Sequence, residues 1–292
     1  DNTRVLPWAL GATGAAWLAW HVGTNGPQLT LDVLNFAFLM TAIVLHGRLA
    51  SVMAAGEQGA RLLAGVVLQF PYLGERIGVP ARVGSRKLDF DAKLDTLDVP
   101  VVALAGTCME AGKTAAACSI VSRMRHRGLV VDVFKATGVS LRRDILAMEY
   151  SGARNALIFT DLGVVTTTGK TGPALTRTML TELAARKPDC IVFELGDGLI
   201  GTYGVDAILE CEDIRKAMTS VVLSANDPVA AWGGVKILRE RFHIEPAVVT
   251  GPSTDNSVGV QIIEEQMNVK AFNAITNGAA LGDCVIESLG LS

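Results

Sequence analysis

Hydrophobic positions along this chain fall into two regimes. Between Arg4 and Asp32 there is no Asp, Glu, Lys or Arg, and a second uncharged run, VLNFAFLMTAIVLHG, lies between Asp32 and Arg48. A bilayer span needs about 20 apolar residues. Val5 to Val22 comes close to that length, and Leu31 to His46 falls slightly short with Asp32 at its edge. The pattern predicts an all-α apolar hairpin of transmembrane type, with residues 5–47 against a lipid bilayer. Leu62 to Leu73 is too short to cross and contains Pro71, which suits a re-entrant or interfacial piece. The intervening turn HVGTNGPQLTLD lacks Lys and Arg, whereas Arg4, Arg48 and Arg61 flank the hairpin. The positive-inside rule then places both hairpin ends, and everything after them, in the cytoplasm.

From Val99 onward the pattern changes. Short β-branched or apolar runs alternate with helical periodicity. Strands are expected at Val101–Leu104, Leu129–Phe134, Asn155–Thr160, Cys190–Phe193, Thr219–Leu223, Ala247–Thr250 and Lys270–Ile275. Helices are expected at Lys113–Arg127, Ala174–Arg186, Pro228–Phe242 and Val258–Met267. Alternation of this length predicts an α/β domain with a doubly wound, mainly parallel sheet. Gly, Pro and dense charge between Gly74 and Val99 read as a linker. The expected organisation is therefore a helical hairpin over 1–80, a linker over 81–98 and an α/β domain over 99–292.

Composition narrows the chemistry. Hydrophobic residues make up 50% of the 292 and charged ones 19%, too apolar for a disordered chain. The formal net charge of −3 gives no basic excess, so nucleic acid is not an expected partner. The five cysteines (Cys108, Cys118, Cys190, Cys211 and Cys284) form no CxxC pair and no Cys/His cluster, which argues against zinc and against a disulfide framework.

The richest stretch is PVVALAGTCMEAGKTAAACSIVSRMRHRG. It reads strand, glycine loop, helix, which is the context a phosphate loop requires. Backbone N–H groups of the loop and of the helix start form an anion cradle. Gly106, Thr107, Glu110, Ala111 and Gly112 are the expected loop contacts. Lys113 would reach the β- and γ-phosphates, and the Thr114 hydroxyl would hold Mg²⁺. Five residues separate Gly106 from Gly112, one more than in the standard motif. ATP with Mg²⁺ is the expected cofactor.

Two strands end in acids. Cys190–Phe193 runs into Glu194, the position from which a carboxylate orients Mg²⁺. Asp197, in the LGDG turn, is second choice. Asp161 ends the strand from Asn155 and could bind metal or substrate there, or cap a turn. Asn226 in Ser224-Ala225-Asn226-Asp227 can bond a purine edge or serve as a turn residue. Cys108 has no His near it in sequence, which leaves a thiol nucleophile without its usual base.

Two resemblances follow. RVLPWALGATGAAWLAWHV, LTLDVLNFAFLMTAIVLHGR and ARLLAGVVLQFPYLG resemble part of the short-chain fatty acid transporter family. That resemblance implies membrane residence better than transport, because it covers a minority of such a protein. AGTCMEAGKT, VFKATG, FTDLG and VFELGDGL resemble P-loop proteins related to dethiobiotin synthetase. By that resemblance Lys135 would contact a small-molecule substrate. With the residues read above, the expected catalytic set is Lys113, Lys135, Asp161 and Glu194. Cys108 stands where the synthetase has an Asp that helps with Mg²⁺, which argues against biotin chemistry and leaves metal to Thr114, Glu194 and Asp161. The expected function is an Mg-ATP-dependent, ligase-like phosphoryl-transfer enzyme held at the membrane. The alternative is a component of a short-chain fatty acid transporter carrying a regulatory nucleotide-binding domain. A homodimer is an assembly that phosphate loops of this kind allow.

Overall fold

A computed structural model describes residues 5–26, 31–46, 75–76, 79–80, 88–139 and 142–291. The chain divides into two compact units, Asp1–Ala64 and Gly65–Ser292.

In the first unit, α1 (Val5–Asn25) and α2 (Leu31–His46) pack on each other. The small residues Gly11 and Gly14 let the backbones approach. A methyl group on Gly11 would lie 2.2 Å from Val44, and one on Gly14 would lie 2.5 Å from Met40. Trp17 meets Phe36 edge-on at 4.8 Å. Partners that descend along α2 as α1 ascends make the pair antiparallel. Trp8, Trp20, Phe38 and Leu45 remain exposed. Among the described residues no helix is long and apolar enough to cross a membrane. The 16 residues of α2 reach only about 24 Å at 1.5 Å per residue. In α1 the apolar run is diluted by Gly, Thr, Trp and His21. The expected re-entrant piece, Leu62–Leu73, lies outside the described residues.

The second unit opens with a two-residue antiparallel ladder, β1 (Glu75–Arg76) and β2 (Val79–Pro80). The α/β domain then runs β3 (Val101–Gly106), α3 (Lys113–His126), β4 (Val131–Lys135), α4 (Arg142–Tyr150), β5 (Asn155–Ile158), a 3-10 turn at Phe159–Leu162 and α5 (Thr171–Ala184). It continues with β6 (Cys190–Glu194), α6 (Val205–Glu210), α7 (Glu212–Ala217), β7 (Ser220–Ser224), α8 (Pro228–Phe242), β8 (Val248–Thr250), α9 (Ser257–Met267), β9 (Lys270–Ala271) and α10 (Gly278–Ser288). Seven strands form one sheet in the order β5-β4-β6-β3-β7-β8-β9, and every neighbouring pair is parallel. Strands β3, β4, β6 and β7 are buried throughout, as parallel strands covered by helices on both faces must be. Phe134 and Phe193 stack across β4 and β6 at 4.9 Å.

Two expected strands end early. β5 stops at Ile158 because the Asp161 carboxylate accepts from the Ile158 N–H at 2.9 Å and closes the 3-10 turn. β9 stops at Ala271 because Asn273 Oδ1 accepts from the N–H groups of Ile275 and Thr276, both at 2.9 Å. The stretch read as a linker is partly built into the domain. Leu88 and Leu94 are buried in its core, and the Leu94 N–H donates to Asp213 at 2.9 Å.

Candidate nucleotide-binding site

The register of the sheet assembles the site. Lys135 on β4 pairs with Glu194 on β6, Gly106 on β3 pairs with Ser224 on β7, and Ser224 pairs with Thr250 on β8. All stand at the carboxyl ends of their strands, where open α/β sheets bind ligands.

The loop from Thr107 to Gly112 crosses that edge. Its course is fixed by Thr107 N–H donating to Ser224 O at 3.0 Å and by Leu199 N–H donating to Gly106 O at 3.0 Å. Gly112 takes φ 92° and Glu110 φ 59°, so two left-handed residues bend the loop into α3. Among the described residues, the backbone N–H groups of Cys108 to Gly112 donate to no backbone carbonyl. No side chain caps the start of α3. Unsatisfied donors on a concave loop at a helix N-terminus fit an anion of the phosphate type. Gly251, at φ 92°, closes the cradle from below: a methyl group there would sit 2.4 Å from the Ala111 carbonyl oxygen. Gly198 closes it from the side, 2.7 Å from the Thr107 oxygen by the same construction.

Lys113 is buried and folds back over Gly106, with Nζ donating to Cys108 O at 2.7 Å. Desolvation lowers its pKa from the ordinary lysine value, against the opposing pull of Glu194. Thr114 Oγ1 donates to Glu194 Oε2 at 2.9 Å. Glu194 is itself buried, and desolvation raises its pKa against the opposing charge of Lys135 and the Thr114 bond. A hydroxyl and a carboxylate in contact beside the loop are hard oxygen donors of the kind Mg²⁺ takes. The residues therefore fit both a polyphosphate and its metal. Among the described residues no cluster of three His, Cys, Asp or Glu is gathered for a metal, so a substrate phosphate would have to complete the shell.

The other candidates separate. Lys135 is buried at the edge of the site and pairs with Asp144 of α4. Asp144 carried no sequence signal of its own. Asp161 lies in the 3-10 turn that follows the edge strand β5, exposed, and its carboxylate is engaged in that turn. Asp197 accepts from the Gly198 and Tyr203 N–H groups and shapes the loop after β6. Asn226 donates from Nδ2 to Cys108 Sγ at 3.2 Å, so it touches the phosphate loop. Asp227 caps α8 through the Ala230 N–H.

The sheet, loop and helix together have the form of a P-loop α/β fold, and comparison with known proteins treats the two ends of the chain separately. Residues 1–84 match the family model described as short chain fatty acid transporter. Two curated proteins, each named "Putative short-chain fatty acid transporter", match over 72 residues: one from Haemophilus influenzae at 38% identity and one from Escherichia coli K12 at 32%. The match takes in 25% of this chain and only 16% of each relative's length. Among solved structures, a DUF1611 family protein from Anabaena variabilis shares the fold at a TM-score of 0.50 and 12% identity, covering 72% of this chain and 63% of that one.

Proposed function

We propose that residues 99–292 bind ATP with Mg²⁺ and use it in a ligase-like phosphoryl transfer to a small-molecule substrate. The observation that carries this reading is the Thr114–Glu194 hydrogen bond at 2.9 Å beside the buried Lys113. Lys113 would exchange the Cys108 carbonyl for phosphate oxygens and neutralise their charge. Thr114 and Glu194 would hold the metal. Bound Mg-ATP supplies an activated γ-phosphoryl group. Lys135 would meet an acceptor at the end of β4. Loop N–H groups would fix the polyphosphate chain and exclude water from it.

The test is calorimetric titration of the full chain with Mg-ATP, beside Lys113→Ala. The expected result is at least a tenfold weakening, about 1.4 kcal/mol. Equal affinity in the two proteins would overturn the reading.

The match of residues 1–84 to the transporter family favours a second reading, a membrane-held transport component with a cytoplasmic regulatory domain. In it, the exposed Trp8, Trp20, Phe38 and Leu45 would meet lipid or further transmembrane helices. Uptake of a short-chain fatty acid into proteoliposomes that depends on ATP would select this reading. Uptake indifferent to ATP, or none, would reject it.

A further inference from the structure

Four charged side chains crowd the inner wall of the site: Lys113, Lys135, Glu194 and Asp144. The Lys135 and Asp144 side chains are only 6% and 13% exposed. Lys135 and Glu194 are register partners on adjacent parallel strands, so both project to the same face. Among the charges around Glu194, that of Lys135 favours its ionised form most. A buried ammonium beside a buried carboxylate is drawn to form an ion pair with it. Yet Lys135 Nζ bonds Asp144 Oδ2, and Glu194 bonds Thr114. Asp144 enters from the first turn of α4, and its other oxygen lies 3.6 Å from the exposed Arg143.

We infer that Asp144 is a positioning residue of the metal site: by holding the Lys135 ammonium it keeps that cation off Glu194 and leaves the carboxylate to Thr114 and Mg²⁺. This inference rests on the nucleotide reading above. The charges explain the arrangement. With Asp144 present the four groups sum to zero. Without it, Lys113 still feels Asp197 as well as Glu194, but the carboxylate left beside Lys135 is Glu194, and Lys135 turns to it. A divalent cation would then have to displace a buried ion pair in order to bind. The effect on the metal passes entirely through Lys135, so removing that ammonium should make Asp144 dispensable.

The test measures ATP affinity of the full chain by calorimetry, once with Mg²⁺ and once with chelator. In the wild type Mg²⁺ should strengthen ATP binding by about tenfold or more, within the usual range of coupling between two ligands. Asp144→Asn should cut that gain to within about twofold while leaving metal-free ATP affinity within about threefold. Asp144→Glu should keep most of the gain. The double variant Asp144→Asn with Lys135→Met should recover it, which a purely structural role for Asp144 does not predict. If Asp144→Asn does not fold, as thermal melting will reveal, the double variant decides: a wild-type gain supports the inference and a lost gain overturns it. A full Mg²⁺ gain in folded Asp144→Asn also overturns it. Wild-type protein that binds no ATP overturns the nucleotide reading, and this inference with it.

Discussion

Thr114 and Glu194 stand eighty residues apart in sequence and share a 2.9 Å hydrogen bond at the carboxyl edge of the sheet. The bond joins the start of α3 to the end of β6. It thereby ties the residue after Lys113 to the buried carboxylate at the end of β6.

Burial makes Glu194 a strained choice for the free protein. Its pKa is raised, chiefly by desolvation, so the folded state holds the proton more tightly than the unfolded state does. Stability therefore falls as pH rises from the ordinary glutamate value of 4.5 through the raised folded value. Glu194→Gln should melt a few degrees higher at neutral pH, since about 1 kcal/mol moves Tm by roughly 2–4 °C in a domain of this size. It should also lose the Mg²⁺ gain in ATP binding. Melting curves between pH 4 and 8 check this: the advantage of the variant should grow with pH, and a constant or shrinking gap would refute it.

Gly251 and Gly128 share a positive φ and differ in surroundings. A methyl group on Gly251 would strike the oxygens of Ala111 and Ala225, whereas one on Gly128 has nothing within 4 Å. Gly128→Ala should cost about 1 kcal/mol of backbone strain. Gly251→Ala should cost about 3 kcal/mol once overpacking is added. It should also weaken ATP binding, since Gly251 supports the phosphate loop from beneath. Chemical denaturation of both variants compares the costs directly.

Ser224 and Thr250 carry buried hydroxyl oxygens without a hydrogen-bond partner among the described residues. Burying an unpaired hydroxyl costs about 1–3 kcal/mol by mutational measure. Ser224→Ala and Thr250→Val should therefore be neutral or stabilising by about 1 kcal/mol in the free protein. Destabilisation of either variant, measured by denaturant midpoint, would contradict the unpaired state.

Asp213 clamps the segment leading into β3. It accepts from Arg177 and from the Leu94 N–H, and the Arg177 bond chiefly holds its pKa at about 2, below the usual 3.8. A depressed acid contributes stability that is fully present above pH 3.8 and is lost as pH falls through about 2. The Leu94 amide should lose hydrogen-exchange protection across that window. In Asp213→Asn it should be poorly protected at every pH.

Much of the α/β domain was legible because its signals are local. β3, its loop and α3 follow from one β-branched run, a glycine pair and a helical period. β6 follows from CIVF running into Glu194. The order of strands was not legible, since nothing in a parallel strand names its neighbour. Asn226–Cys108 escaped for the same reason, since sheet order sets the end of β7 beside the loop after β3; Lys135–Asp144, nine residues apart, escaped because the helix that carries Asp144 was not read from the sequence. The helices Arg142–Tyr150 and Gly278–Ser288 lack the strong punctuation that marks α8, where Asp227 caps and Pro228 leads. The early ends of β5 and β9 turn on single side chains, Asp161 and Asn273, that bond backbone N–H groups a few residues away.

The folded-back Lys113 sets a condition on anything that enters the cradle. Its ammonium already has an acceptor in the Cys108 carbonyl, so an incoming anion competes with the protein's own backbone rather than with water alone. A single weakly charged oxyanion offers little advantage over that carbonyl. A polyphosphate, with several oxygens for the loop N–H groups and concentrated charge for the lysine, can outbid it. Under the nucleotide reading proposed above, the resting loop would in this sense be self-inhibited and would discriminate by the number of phosphates before any contact with a base.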